Sequence, residues 1–132
     1  MIKELNNKNI KLNITAVFTL KQLSKIKKEI NNKTPVIISI FCGRIADSGI
    51  DPEPIVIKAK KLFKNYKNVE ILWASVREVY NYYQAKRTKS DITTVPPNLI
   101  KKIKSKKINL ENYSRITVKQ FFDDGKKSKF KL

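Results

Sequence analysis

Histidine is absent from this 132-residue sequence, and cysteine occurs only once, as Cys42. Without histidine, no Cys/His or Ser/His catalytic pair can form, and no zinc site of the usual ligand spacing is present. A single cysteine permits no internal disulfide, which fits a reducing compartment. No apolar run reaches the roughly 18 residues of a membrane span, and the first residues lack the apolar stretch of a signal peptide. We therefore expect a cytoplasmic protein with no membrane partner.

Acidic residues are also scarce: the chain has 11 of them against 29 basic residues, and its net charge is +18. Such a charge favours nucleic-acid binding, because basic proteins release counterions from phosphate backbones. The alternative is a solvated surface rich in lysine. Arginine occurs only at positions 44, 77, 87 and 115, and the lysines are spread over every predicted helix. We therefore favour the second interpretation and keep a basic α/β module that binds nucleic acid as the alternative function.

Hydrophobic periodicity predicts strands alternating with helices. The predicted strands are 12–19, 36–41, 69–74 and 91–95; the predicted helices are 20–31, 53–66, 78–88, 98–104 and 114–124. The segment between the second strand and its helix is predicted to be a loop, in which Asp51 and Pro52 form a helix N-cap and first turn. This order implies a parallel sheet with right-handed crossovers, either an open flavodoxin-like sheet or a section of a barrel. No glycine-rich loop follows a strand, which weakens a dinucleotide or P-loop interpretation.

Polar side chains occur at or near the ends of three predicted strands. In parallel α/β folds the site lies at the carboxyl ends of the strands. Two Ser/Arg combinations occur there: Ser39 with Arg44, and Ser75 with Arg77. Guanidinium groups grip phosphate oxygens bidentately, and hydroxyls fill the remaining acceptors. Ser39 also interrupts an apolar run, and a buried hydroxyl needs a hydrogen-bond partner.

Three ordered segments resemble the transaldolase family. Residues 12–18 (Leu-Asn-Ile-Thr-Ala-Val-Phe), 39–45 (Ser-Ile-Phe-Cys-Gly-Arg-Ile) and 73–77 (Trp-Ala-Ser-Val-Arg) are similar to its Asn-x-Thr, Ser-x-Phe-x-Gly-Arg and Ala-Ser-x-Arg segments on barrel strands five, six and seven. Residues 92–97 resemble its eighth strand. The resemblance implies an α/β fold in which parallel (β/α) units form half of a TIM-type (β/α)8 barrel, plus a C-terminal helix. Residues 1–132 would form one partial barrel domain, with four βα units over 1–104 and an extension over 105–132.

Carried over position by position, the resemblance implies a role for each matching residue. Arg44, Ser75 and Arg77 would hold the substrate phosphate. Asn13 and Ser39 would bond sugar hydroxyls or the dihydroxyacetone portion. Thr15 would help to place the catalytic water, and Phe41 would wall the pocket. The family moves a dihydroxyacetone unit between sugar phosphates of the pentose phosphate pathway through a Schiff base on lysine, with no cofactor or metal.

One departure from the family concerns its catalytic groups. In the family the Schiff-base lysine lies on the fourth strand and the acid/base carboxylates on the first and third, whereas this chain begins just before the fifth. The resemblance therefore supports substrate binding and not independent turnover. Edge strands 12–19 and 91–95 would expose unpaired backbone, so we expect a partner, either a chain with the missing strands or a second copy. A truncated gene product or a piece of a split reading frame are further alternatives.

Overall fold

The computed structural model describes residues 1–105 and 109–128; residues 106–108 and 129–132 of the predicted C-terminal extension lie outside that part. The chain divides into two compact units between residues 102 and 103. In chain order the elements are α1 (Ile2–Asn7), β1 (Leu12–Val17), α2 (Leu20–Glu29), β2 (Val36–Ile40), α3 (Cys42–Asp47), α4 (Glu53–Leu62), β3 (Val69–Trp73), α5 (Val79–Arg87), β4 (Ile92–Thr93), α6 (Pro97–Lys104) and α7 (Leu110–Ser128).

Four strands form one sheet in the order β1-β2-β3-β4, and every neighbouring pair is parallel. Parallel neighbours need crossover connections, and the helices between successive strands supply them. The predicted fold class is therefore confirmed: an α/β fold with four parallel strands alternating with helices, consistent with half of a TIM barrel, plus a C-terminal helix. The assignment of the whole chain to a single domain stays a prediction.

One face of the sheet is buried under helices. On β2, Val36, Ile38 and Ile40 alternate with Ile37 and Ser39, and these three are at most 1% exposed. The register pairs them with alternate residues of β3, so their side chains share one face. The core cluster joins this face to apolar residues of α2, α4, α5 and α6, including Leu23, Val56, Ala85 and Leu99. Because this face is occupied by the helices, the polar side chains of Asn13 and Ser39 lie on the other face.

A bulge in β1 preserves this division of faces. The pairing with β2 shifts register between Ile14 and Val17, and Ala16 has a left-handed φ of 56°. A bulge inserts one extra residue and bends the strand. As a result both Thr15 and Ala16 are exposed, while Val17 returns to the core at 2% exposure.

A network of hydrogen bonds connects the segments at the amino ends of the strands. The Asn31 N–H donates to Asn6 Oδ1 at 2.7 Å, and Thr34 Oγ1 donates to the Asn6 carbonyl at 2.9 Å. Asn68 Nδ2 donates to the Thr34 carbonyl at 2.7 Å. These contacts tie α1 to the segments that enter β2 and β3. Within the described residues, no helix combines the length and apolar character needed to span a bilayer.

Several predicted boundaries were wrong, and each has a local cause. The segment after β2 is not all loop, since residues 42–47 form α3 with Cys42 and Ile45 buried one turn apart. β4 has two residues instead of five, because the Asp91 carboxylate takes the Ile71 N–H at 2.8 Å and prolines follow at 96 and 97. The last helix starts earlier than predicted, where Asn109 Oδ1 accepts the Glu111 N–H at 2.8 Å.

At the start of α4 the predicted cap is displaced by one position. The helix begins at Glu53 with Pro52 preceding it as N-cap residue, whereas the sequence predicted Asp51 in that place. The Asp51 carboxylate nevertheless accepts the Glu53 N–H at 3.0 Å. The side chain therefore makes the contact expected of a cap, and only the assigned boundary differs.

Candidate functional site

A cavity of about 510 Å³ opens on the polar side of the sheet, toward the carboxyl ends of the strands. All seven residues predicted for the site line it: Asn13, Thr15, Ser39, Phe41, Arg44, Ser75 and Arg77. They come from β1, β2 and the segments that follow β2 and β3. Parallel strands end at the same edge of a sheet, which is why residues more than 60 positions apart in the sequence meet here.

Four further lining residues were not predicted: Leu72, Ala74, Val76 and Thr94. Leu72 pairs in register with Ser39, so alternation along β3 could have placed it on the same face. Thr94 follows β4 and donates its N–H to the Trp73 carbonyl at 3.2 Å. Its position near the end of a predicted strand could have identified it as a candidate site residue.

Ser39 and Asn13 form the floor of the polar side. The Ser39 side chain is only 3% exposed, and its hydroxyl donates to Asn13 Oδ1 at 2.7 Å. The buried hydroxyl expected to need a partner therefore has one, on the neighbouring strand. The bond joins β1 to β2 and fixes the orientation of the Asn13 amide.

Arg44 and Phe41 flank the junction between β2 and α3. Arg44 lies in the first half of α3, and its guanidinium carbon is 5.9 Å from the centre of the Phe41 ring. The Phe41 ring also contacts the Phe18 ring, at a centroid distance of 5.8 Å. An aromatic face attracts a guanidinium group, which favours a defined position for Arg44 beside the cavity.

Arg77 is held at its backbone and at its guanidinium group. Its N–H donates to Asn81 Oδ1 at 2.9 Å, and Asn81, at the start of α5, is 2% exposed. Its Nη2 lies 3.1 Å from Asp47 Oδ2, so the guanidinium carries a carboxylate partner from α3. Asn81 and Asp47 were not predicted for the site, because neither lies at a strand end.

The segment after β3 fits against α3 at Gly43. A methyl group at Gly43 would lie 1.6 Å from the Ser75 carbonyl oxygen, so only glycine permits this approach. Ser75 itself has a left-handed φ of 64°, which L-residues other than glycine seldom adopt. Strained residues of this kind cluster at functional sites, and Ser75 lines the cavity.

In the described part of the chain, the cavity lacks the side chains that form Schiff bases and those that commonly bind metal ions. Its lining, within the described residues, contains no lysine and no carboxylate. Cys42 is fully buried, and burial raises the pKa of its thiol well above the ordinary value, so it is not a thiolate nucleophile. Over the same described residues, no group of three or more His, Cys, Asp or Glu side chains could hold a metal ion. For binding, the lining offers two guanidinium groups, one amide and the four hydroxyls of Thr15, Ser39, Ser75 and Thr94.

Comparison with known proteins gives a consistent family. The family model described as Transaldolase/Fructose-6-phosphate aldolase matches residues 1–131. A "Probable transaldolase" of Nitrosopumilus maritimus (strain SCM1) is 34% identical over 116 residues, which are 84% of this chain and 50% of that protein. One of Chelativorans sp. (strain BNC1) is 33% identical over 76% of this chain and 45% of its own length.

A third relative covers nearly all of the chain. A "Probable transaldolase" of Bdellovibrio bacteriovorus (strain ATCC 15356 / DSM 50701 / NCIMB 9529 / HD100) is 28% identical over 98% of this chain and 57% of its own length. The chain thus spans about half the length of the curated relatives it matches. The family model covers almost every residue, and the resemblance noted in the sequence is confirmed: the chain belongs to the transaldolase/fructose-6-phosphate aldolase family.

Proposed function

We propose that the cavity binds a sugar phosphate, with Arg44, Ser75 and Arg77 holding the phosphate group. The observation that carries this proposal is that these three residues, which follow two different strands, line one cavity. Two guanidinium groups and a hydroxyl supply both the charge and the directed donors that a phosphate dianion accepts. Membership of the family adds support, because its description names a phosphorylated sugar.

The remaining predicted residues are assigned to the sugar. Asn13 and Ser39, already joined by a hydrogen bond, bind hydroxyls of the dihydroxyacetone portion. Thr15, exposed on the bulged part of β1, helps to place a water molecule, and Phe41 forms an apolar wall. In this arrangement the same cavity binds both the phosphate and the reacting carbons.

Turnover needs a lysine in the cavity, and none of the described residues supplies one. In the reaction proposed for the complete site, a lysine amine condenses with the ketone of the donor sugar and releases water. Cleavage of a carbon–carbon bond then releases an aldehyde and leaves a dihydroxyacetone unit on the lysine as an enamine. This unit adds to an aldehyde acceptor of the pentose phosphate pathway, and water hydrolyses the resulting imine, which releases the product and frees the lysine. No lysine of the described residues lines the cavity, so the chain alone binds substrate without turning it over. We place this function in the cytoplasm.

A partner would complete the site by pairing with the sheet edges at β1 and β4, which end the four-stranded order. Two copies would bring together two net charges of +18, whose repulsion disfavours self-association. We therefore favour a complementing chain with lysine on a strand.

Calorimetric titration with fructose 6-phosphate, and with fructose in parallel, tests the binding site. We expect the phosphorylated sugar to bind more tightly. Arg44→Ala and Arg77→Ala should each weaken the binding of fructose 6-phosphate about tenfold or more, as expected for the loss of hydrogen bonds between charged groups. Arg115→Ala is the matched control, since it removes an exposed arginine of α7. Equal affinity for both sugars, or wild-type affinity in both cavity variants, would contradict the proposal.

Borohydride trapping tests which chain carries the Schiff-base lysine. The chain alone should form no reduced adduct with fructose 6-phosphate. Mixed with a chain that carries the missing strands and a strand-borne lysine, it should give an adduct on that second chain. An adduct on the present chain alone would refute the assignment of the lysine elsewhere.

The net charge of +18 favours a second candidate, a basic module that binds nucleic acid. This candidate predicts an affinity that falls steeply with salt, because several phosphates are neutralised. Tight binding at low salt that survives Arg44→Ala and Arg77→Ala, without sugar-phosphate binding, would favour it over the first.

A further inference from the structure

The Asp47–Arg77 ion pair joins an arginine of the cavity lining to a carboxylate outside that lining. Asp47 Oδ2 is 3.1 Å from Arg77 Nη2, and the two side chains are 54% and 50% exposed. Arg77 lines the cavity, whereas Asp47 does not. The carboxylate therefore contacts the guanidinium from outside the cavity, and a guanidinium has five N–H donors to share between two sides.

Arg77 follows the surface of α3 to reach this carboxylate. A Cβ placed on Gly43 would be 2.9 Å from Arg77 Cγ, so the stem of the arginine crosses the helix at Gly43. Asp47 is four residues further along α3 and thus lies on the same helical face, one turn away. The side chain extends from Gly43 to Asp47 along one stripe of the helix.

The same helix also carries the other arginine of the cavity. Arg44 and Asp47 are three residues apart on α3, so a single short element supplies one cation and holds the second. At the opposite end, Asn81 fixes the backbone of Arg77 through a 2.9 Å hydrogen bond. Arg77 is thereby restrained at both ends, and the relative position of the two cations depends on α3.

We propose that Asp47 is a positioning residue that holds Arg77 in place for an anion in the cavity. The inference rests on the proposed function, since it assumes that Arg77 binds phosphate. A mobile arginine loses rotamer freedom when it binds an anion, and one already held by a carboxylate has lost most of it beforehand. Asp47 therefore increases the affinity for the anion although its own charge is negative.

The sign of the effect separates positioning from simple electrostatics. A carboxylate near an anion site repels the ligand, so removal of its charge alone would tighten binding. If Asp47 positions Arg77, neutralising it weakens binding instead. The two explanations thus predict opposite shifts in the dissociation constant of fructose 6-phosphate.

Calorimetric titration of Asp47→Asn and Asp47→Glu with fructose 6-phosphate tests the proposal. We expect Asp47→Asn to weaken binding about two- to fivefold, in line with exposed ion pairs, and Asp47→Glu to restore part of the loss. Glu53→Gln is the matched control: it breaks the Glu53–Arg87 ion pair, made at 2.6 Å outside the cavity, with the same change of charge. That control should not weaken binding.

A double-mutant cycle provides the second measurement. In an Arg77→Ala background there is no guanidinium to hold, so Asp47→Asn should no longer weaken binding and should tighten it slightly. Unchanged or tighter binding by Asp47→Asn in the wild-type background would overturn this inference alone. An equal weakening in both backgrounds would also overturn it. Wild-type affinity in Arg44→Ala and Arg77→Ala would overturn the proposed function, and this inference with it.

Discussion

Gly43→Ala should separate α3 from the segment that follows β3. The new methyl group would lie 1.6 Å from the Ser75 carbonyl oxygen and 2.8 Å from its carbon, whereas ordinary contacts begin at 3.4 Å. These atoms belong to the backbone, so no side-chain rotation can relieve the clash. The two segments must move apart by about 1.8 Å along that contact.

The expected cost lies at the upper end of the range for overpacked sites, about 3 kcal/mol. For a domain of this size we expect the melting temperature to fall by roughly 10 °C. Ligand binding should weaken in addition to the loss of stability, because the displaced segment carries Ser75 and Arg77. Since two of the three proposed phosphate-binding residues move with this segment, we expect the affinity for fructose 6-phosphate to fall about tenfold or more.

Urea denaturation followed by tryptophan fluorescence measures this change. Trp73 is the only tryptophan in the sequence, it is fully buried, and it ends β3 two residues before Ser75. Titration with fructose 6-phosphate under conditions where the variant is folded reports the state of the site.

The other two glycines are matched controls. A Cβ at Gly125 would meet no atom within 4 Å, and alanine favours helix, so Gly125→Ala should not lower the midpoint. Gly49 has equally open surroundings but a φ of 79°, so Gly49→Ala should cost about 1 kcal/mol through backbone strain alone. A Gly43→Ala variant with the wild-type midpoint and affinity would refute the reasoning about the close approach.

Two further predictions concern the core. Asn31→Ala should lower the free energy of unfolding by about 2 kcal/mol, because the Asn31 side chain accepts the Thr34 N–H and donates to the Asn6 carbonyl. The control is Asn32→Ala, which replaces an exposed residue and should change the urea midpoint little. Burial raises the pKa of the Cys42 thiol in the folded state. The neutral buried thiol therefore contributes fully to the free energy of unfolding below the unfolded-state pKa of about 8.5, and this contribution is lost as the pH rises above that value. Between about pH 8 and pH 10 the wild type should lose about 2 kcal/mol more than Cys42→Ala, and equal losses in urea titrations would contradict this.

The order of strands and helices was predictable because it depends on short-range patterns. Residues 36–40 are apolar and β-branched except for Ser39, which favours a strand inside a parallel sheet, and the structure places β2 between β1 and β3. The helix after β2 was missed because its apolar stripe is a single turn, Cys42 to Ile45, with Gly43 inside it. So short a helix depends on its tertiary contacts more than on its own sequence.

The candidate site was predicted from residue types at strand ends, a rule that holds because parallel strands end together. The contacts that fix those residues were not predictable in this way. Asp47 and Asn81 reach Arg77 from two different helices, and the Gly43–Ser75 approach joins residues 32 positions apart. No spacing in the sequence indicates such pairs.

The sequence by itself determined the α/β class, the family and the residue types gathered at one edge of the sheet. These follow from local periodicity and from motifs whose residues lie within a few positions of one another. Only the tertiary structure decided that α3 lies against the segment after β3, with Arg77 along its surface and Asp47 at its end. The physical reason is that close packing between distant segments depends on their relative position in space, which short-range sequence patterns do not encode.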